Sequence, residues 1–137
     1  MTYLIDTNVI SETRRKEPDE NVIRWISNTP ASALYLSVLT LGEIAKGVEM
    51  LAKRDLIAGQ SLQRWLDDIK SYYQSHIVPV DAIIAERWGQ LASRRSIAVI
   101  DGLIASTALV RGFVLVSRNI RDFEGLDIKL LNPWQAS

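Results

Sequence analysis

Short apolar runs alternate along this chain with longer segments in which apolar residues recur every three or four positions. The runs are typical of buried strands, and in chain order they read TYLI, LYLSV, HIVPV, FVLVS and IKLLN. The periodic segments predict amphipathic helices over residues 8–15, 19–27, 40–53, 56–73, 81–94 and 101–111. Gly59 is a candidate break in the longest of these helices, because glycine weakens a helix interior.

The order of these elements predicts the fold class. Strands separated by helices pair in parallel through right-handed crossovers, which gives an α/β fold: a three-layer α/β/α sandwich around a central parallel sheet. We expect residues 1–137 to form one domain of this kind. In open parallel sheets the functional site lies at the carboxyl ends of the strands, so polar residues at those ends are the first candidates.

Composition places the chain among globular proteins. Its residues are 47% hydrophobic and 23% charged, and no apolar run approaches the roughly 20 residues that a membrane span needs. The N-terminus has no basic region followed by an apolar core, so we expect a cytoplasmic protein without a signal peptide. The net charge of +0 gives the whole molecule no basic field of the kind that marks many nucleic-acid binders.

The chain has no cysteine and one histidine, which excludes several kinds of chemistry. A thiol nucleophile, a disulfide framework and a cysteine-rich zinc site are impossible. His76 ends a row of apolar and aromatic residues with helical spacing, so a packing or helix-end role is favoured over a chemical one. An enzyme built on this sequence must rely on carboxylates, hydroxyls, lysine and arginine.

Acidic residues stand just beyond strands or near helix starts in four separate parts of the chain: Asp6, Glu43, Asp101 and Asp122. Each has a structural explanation too. Asp6 is a candidate N-cap, and Asp101 a candidate N-cap or first-turn acid. Thr40 and Glu43 match the S/T-x-x-E capping box.

If the four acids converge, the structural explanations of the single residues become less favoured than a shared cation site. Several carboxylates within a few ångströms repel one another, and a bound cation relieves that repulsion. Oxygen ligands, with no thiol and no placed imidazole, suit Mg²⁺, with Mn²⁺ as a substitute.

Four segments together resemble a known family: YLIDTNVISE, LTLGEIAKGVEML, IAVIDGLIASTAL and FVLVSRNIRDFEG. In this order they are similar to the PIN-domain ribonucleases, in particular the VapC and FitB type of bacterial toxin. The resemblance implies a magnesium-dependent endoribonuclease with Asp6, Glu43 and Asp101 as the metal-binding acidic triad. It also implies a homodimer and inhibition by a small DNA-binding antitoxin.

The segment SRNIRDF departs from this pattern, because many relatives have an acid where this chain has Asn119. Asp122, three residues on, is the candidate replacement, since a short helix there would put both residues on one face. The alternative is a surface ion pair between Asp122 and Arg118. We expect Arg118 and Arg121 to contact the RNA backbone, which contributes affinity without sequence choice.

The mechanism implied is hydrolysis of a phosphodiester by a water that one or two metal ions activate. Asn8 is expected to orient Asp6, as residues behind metal ligands commonly do. Two other classes are open: a carboxylate-based phosphotransfer or phosphatase protein, and a non-catalytic PIN-like interaction module. The apolar residues Trp65, Leu66 and Tyr72 are expected to contribute a surface that a second copy or the antitoxin buries.

Overall fold

A computed structural model gives the fold and describes residues 1–135. Five parallel strands form one sheet in the order β3-β2-β1-β4-β5. They are β1 (Tyr3–Ile5), β2 (Leu34–Ser37), β3 (Ile77–Val78), β4 (Val114–Val116) and β5 (Leu130–Leu131). The predicted α/β sandwich with a central parallel sheet is therefore confirmed.

Helices connect the strands and cover both faces of the sheet. They are α1 (Thr7–Glu12), α2 (Glu20–Asn28), α3 (Val38–Ala52), α4 (Leu56–Tyr72), α5 (Ala82–Arg94) and α6 (Val99–Arg111). Short 3₁₀ turns follow at Ala31–Ala33, Gln74–His76 and Ile120–Phe123. Within the described residues, no helix has the length and apolar character that crossing a membrane requires.

Two hydrophobic cores lie on opposite faces of the sheet. Neighbouring side chains of β1 point into different cores, since successive strand residues point to opposite faces of the sheet. Ile5 packs with residues of α1, α2, α3 and α4, while Leu4 packs with residues of α5 and α6. These two cores hold the three layers together.

Helix α4 runs without a break through Gly59, so the predicted interruption is wrong. The reason lies in its packing against α3, because Gly59 faces Ala52. A Cβ at position 59 would lie 2.7 Å from the Ala52 Cβ and 2.8 Å from its Cα. The glycine permits a close approach of two helices and does not end one.

A second close approach brings α6 against α5. A Cβ on Gly102 would lie 2.9 Å from Cδ1 of the half-buried Trp88 and 3.2 Å from Cγ2 of Ile97. Gly102 therefore permits the close approach of α6 to α5. The contact matters for function because the neighbouring residue is Asp101.

The start of α3 differs from the predicted one. Ser37 is the N-cap, and its hydroxyl accepts from the Leu39 N–H at 3.0 Å. Thr40 therefore lies inside the first turn, and Glu43 lies in the second. The predicted capping box of Thr40 and Glu43 is wrong, so capping does not account for an acid at position 43.

The apolar residues proposed as a partner surface do not behave as one set. Leu66 is 4% exposed and belongs to the core, and Trp65 packs against the same core while the Arg14 guanidinium lies 5.9 Å from its ring. Tyr72 alone is largely exposed, at 69%. His76 stacks on Tyr35 with the ring centroids 4.4 Å apart, which fits the packing role expected for it.

Candidate active site

Asp6 lies at the carboxyl end of the central strand β1, where its side chain is 6% exposed. It is the N-cap of α1, and its Oδ1 accepts from the Thr7 N–H at 2.8 Å. The capping role predicted for Asp6 is therefore confirmed. A cap uses one carboxylate oxygen, so the question is what the second oxygen does.

The second oxygen of Asp6 accepts from a buried serine. Ser117 Oγ donates to Asp6 Oδ2 at 2.8 Å, and Asn8 Nδ2 lies 3.5 Å from the same oxygen. Asn8 also donates to Ser117 Oγ at 3.3 Å, while its Oδ1 accepts from the Arg118 N–H at 3.2 Å. These contacts fix the orientation of a buried carboxylate at the end of the sheet.

Strand pairing explains why Ser117 meets Asp6. Ile5 and Val116 are partners in the parallel pairing of β1 with β4. The residues that follow them, Asp6 and Ser117, leave the sheet side by side although 111 positions separate them in sequence. Sequence inspection missed Ser117, and its place at the end of FVLVS was the available signal.

Glu43 extends from the exposed side of α3 towards α1. The Thr7 hydroxyl donates to Glu43 Oε1 at 2.6 Å, and it lies 3.0 Å from Oγ1 of the buried Thr40. The backbone N–H of Thr7 already caps onto Asp6. One threonine therefore connects two of the candidate acids, and it too was missed from the sequence.

Asp101 enters from a third element, the first turn of α6, where it is half-buried. The N-cap of this helix is Ala98, so Asp101 is the first-turn acid of the two alternatives predicted for it. Asp122 comes from the 3₁₀ turn after β4 and is exposed. The four acids thus reach the same region from four separate segments.

The electrostatics of Asp6 show its coupling to two other acids. Burial raises the pKa of its carboxyl above the ordinary value, and the hydrogen bonds from Ser117 and Thr7 partly offset that rise. The negative charges of Asp101 and Glu43 raise the pKa further. Asp6 therefore lies within electrostatic reach of two other acids.

Asp101 has the same kind of environment. Burial raises the pKa of its carboxyl, and the charges of Asp122 and Glu43 add to the rise. The ion pairs within residues 1–135 join Arg15 to Glu12 and Lys70 to Asp67, so no lysine or arginine described there neutralises the four acids. This part of the protein carries uncompensated negative charge.

The donor atoms and the charge of this region can be compared with those that a divalent cation prefers. No three acidic or histidine side chains within residues 1–135 lie close enough to share a metal ion in the present arrangement. Glu43 and Asp122 are exposed side chains that can change rotamer, although Glu43 would then lose its hydrogen bond from Thr7. The donors are carboxylate oxygens around unneutralised charge, and both properties fit a hard cation such as Mg²⁺ or Mn²⁺.

The remaining predicted residues follow β4 in the segment that carries Asp122. Arg118 and Arg121 are exposed, and the Arg118 guanidinium lies 5.0 Å from the Trp134 ring. Asn119 donates its backbone N–H to Ser117 Oγ at 3.1 Å. Asp122 forms no ion pair with Arg118 in the described residues, so the alternative surface pairing of these two side chains is wrong.

The fold and the candidate site together define a class: a small parallel α/β protein with a buried carboxylate, Asp6, at the carboxyl end of its central strand and other acids within electrostatic reach of it. The family model of the PIN domain matches residues 3–129. The chain belongs to the PIN-domain family.

Two relatives and one solved structure match this chain over nearly its whole length. Toxin FitB of Neisseria gonorrhoeae is 32% identical, with 96% of this chain and 97% of FitB covered. The VapC ribonuclease Y4jK of Sinorhizobium fredii is 31% identical, with 98% and 99% covered. A structure of FitAB bound to an IR36 DNA fragment superposes with a TM-score of 0.88 at 30% identity, covering 99% of this chain and 98% of the matched one.

Proposed function

We propose that this protein is a metal-dependent endoribonuclease and the toxin of a toxin-antitoxin pair. One observation carries the proposal: burial and the charges of acids from other segments raise the pKa of both Asp6 and Asp101, and no ion pair in residues 1–135 involves these acids. The family supports it, since relatives about 30% identical over the full length are named a toxin and a ribonuclease.

Asp6, Glu43 and Asp101 would hold the cation, with Asp122 as a further ligand in place of the acid that Asn119 replaces. The bound ion supplies Lewis-acid activation of water and neutralises charge that develops on the scissile phosphate. Ser117, Asn8 and the Thr7 N–H fix the direction of the Asp6 carboxylate, so its lone pairs are aimed before substrate arrives.

The basic residues around the acids have a separate task in this proposal. Arg118 and Arg121 stand exposed on the segment that carries Asp122, where their charges can contact phosphates on either side of the cleaved bond. Contacts of this kind contribute affinity and register without choosing a sequence. The choice of RNA then depends on features other than these two residues.

The test is cleavage of RNA by the purified chain, free of any partner, with and without Mg²⁺ or Mn²⁺. Asp6→Asn, Glu43→Gln and Asp101→Asn are nearly isosteric and each removes one ligand charge, so each should remove most of the activity. Asp68→Asn, at an exposed position of α4, is the matched control and should cleave like wild type. Cleavage that persists in excess chelator contradicts the metal mechanism, and full activity in Glu43→Gln removes Glu43 from it.

The partners follow from the same family relation. We propose a homodimer, and an antitoxin that inhibits the enzyme and brings DNA binding to the complex, as the FitAB–DNA structure supports. Three large apolar side chains are exposed at the adjoining ends of α3 and α4: Met50, Leu56 and Ile57. Exposed apolar residues of this kind favour an interface with a second copy or with the antitoxin. Sedimentation of the purified chain, and recovery of a small DNA-binding protein with it from its host, measure both claims.

A further inference from the structure

A cleft of about 560 Å³ lies beside α5, and none of the four acids lines it. Its charged lining consists of three arginines, Arg87, Arg94 and Arg95, and one acid, Asp127. No ion pair within residues 1–135 involves any of these four side chains. In a protein of net charge +0, this is a local concentration of unneutralised positive charge.

The sequence of α5 sets the spacing of the first two arginines. Arg87 and Arg94 are seven residues apart, about two helical turns, so they lie on one face and about 10 Å apart along the axis. Both side chains are exposed. A row of this kind can contact different phosphates of one strand at the same time.

Arg95 joins this cleft to the acidic site. Its guanidinium donates to the carbonyl of Glu124 at 2.6 Å and to that of Asp122 at 3.0 Å. The Asp122 charge in turn raises the pKa of Asp101. A polyanion with one phosphate at the acids would therefore pass Arg95 and continue along Arg94 and Arg87.

The loop opposite α5 gives the cleft a fixed wall. Gly125 has φ 82° and Asp127 has φ 58°, so the backbone turns twice through the left-handed region after the 3₁₀ turn. The two Arg95 hydrogen bonds anchor this loop at its start. Arg95 thus lines the cleft and also holds its opposite wall.

We propose that the Arg87–Arg94–Arg95 cleft binds the phosphate backbone of the RNA strand beyond the cleaved bond. The inference rests on the proposed ribonuclease function. Arg87 and Arg94 contact phosphates, while Arg95 holds the loop and adds charge. An acidic segment of a protein partner is the competing occupant, and the continuity with the acids favours a nucleic-acid strand.

The experiment measures binding and not cleavage. A short fluorescent oligouridylate is titrated by anisotropy in excess chelator over a range of salt concentrations, with wild type and with Arg87→Gln/Arg94→Gln. Losing two phosphate contacts on a single strand should make the negative slope of log K against log salt shallower by about 1.4. Arg87→Lys/Arg94→Lys keeps both charges and should restore most of that slope.

The matched control is Arg64→Gln/Arg111→Gln, which removes two exposed arginines that do not line the cleft. It should leave the slope at the wild-type value, and thermal melting checks that all variants are folded. An unchanged slope in Arg87→Gln/Arg94→Gln overturns the proposal, as does an equal loss in the control. The first of these results favours an acidic protein segment as the occupant of the cleft, and the second reduces the effect to overall charge.

The two proposals fail in different ways. If wild type cleaves RNA with Mg²⁺ and the slope is unchanged in Arg87→Gln/Arg94→Gln, the cleft assignment fails alone. If wild type never cleaves RNA and the slope becomes shallower by the expected amount in Arg87→Gln/Arg94→Gln, the nuclease assignment fails and the phosphate site stands.

Discussion

The Thr7 hydroxyl donates to Glu43 across 2.6 Å, while the backbone N–H of the same residue donates to Asp6. Thr7 begins α1 and Glu43 lies in the second turn of α3, so the contact joins two elements that are 36 residues apart. Glu43 is exposed and would otherwise sample many rotamers. Its direction towards the other acids depends on this threonine.

Thr7→Val keeps the shape of the side chain and removes the hydroxyl. The Mg²⁺ concentration needed for half-maximal RNA cleavage should rise about tenfold, the usual cost of losing a group that orients a ligand. Thr7→Ser keeps the donor and should stay near wild type. Equal midpoints for Thr7→Val and wild type would mean that Glu43 needs no orienting partner.

The raised pKa of Asp101 has a consequence for stability that needs no substrate. Because the folded protein binds this proton more tightly than the unfolded chain, whose pKa is near 3.8, the ionised carboxylate destabilises the fold. This penalty is absent below the unfolded pKa and develops as pH rises through the folded one. At neutral pH in chelator, Asp101→Asn should therefore melt at a higher temperature than wild type.

Two further melts separate this cause from a general effect of removing charge. The advantage of Asp101→Asn should vanish when both proteins are melted near pH 3, and added Mg²⁺ should stabilise wild type more than the variant. Asp68→Asn, on an exposed face of α4, should melt like wild type throughout. A lower melting temperature for Asp101→Asn at neutral pH would contradict the repulsion among the acids.

The close packing of α5 and α6 gives a prediction with a matched pair of glycines. Gly102→Ala places a methyl group 2.9 Å from the Trp88 ring and should destabilise the fold by about 1–3 kcal/mol. Gly89→Ala, on the exposed side of α5 with nothing within 4 Å, should stabilise it by about 0.5–1 kcal/mol. Urea unfolding measures both, and equal effects of the two changes would show that the approach at Gly102 is not tight.

The hydrophobic pattern predicted all five strands and the helices between them, because a buried run and an amphipathic period each impose their own repeat. The ends were less predictable. HIVPV contains only the two-residue strand β3, since Pro79 has no N–H to continue the ladder. The apolar run LYLSV continues into Val38, yet α3 begins there because Ser37 caps it.

The candidate site, too, could be predicted from the sequence only where local pattern determines it. The positions of Asp6 and Asp101 follow from strand ends and helix starts, which a sequence displays. Ser117 reaches Asp6 through the pairing of β1 with β4, and Thr7 reaches Glu43 across two helices. Only the register of the sheet and the packing of helices bring those residues together, so a reading of local pattern could not supply them.

Asp122 is the acid that most needs a measurement, since it belongs to the segment in which Asn119 departs from the family pattern. Its charge raises the pKa of Asp101, and Arg118 does not neutralise it within the described residues. If Asp122 is a ligand, Asp122→Asn should raise the Mg²⁺ concentration for half-maximal cleavage (the midpoint) about fivefold. This is the factor expected for losing roughly 1 kcal/mol of attraction between the carboxylate and the cation at a water-exposed position. Asn119→Asp adds a carboxylate and should lower the midpoint.

The control for this titration is Asp127→Asn, a change of the same charge in the neighbouring loop. Asparagine tolerates the φ of 58° at that position, so the loop keeps its shape. Its midpoint should equal that of wild type, because Asp127 lines the arginine cleft and has no part in raising the pKa of Asp101. A midpoint that moves equally in Asp122→Asn and Asp127→Asn would reduce the effect to overall charge, and one that moves in neither would remove Asp122 from the metal site.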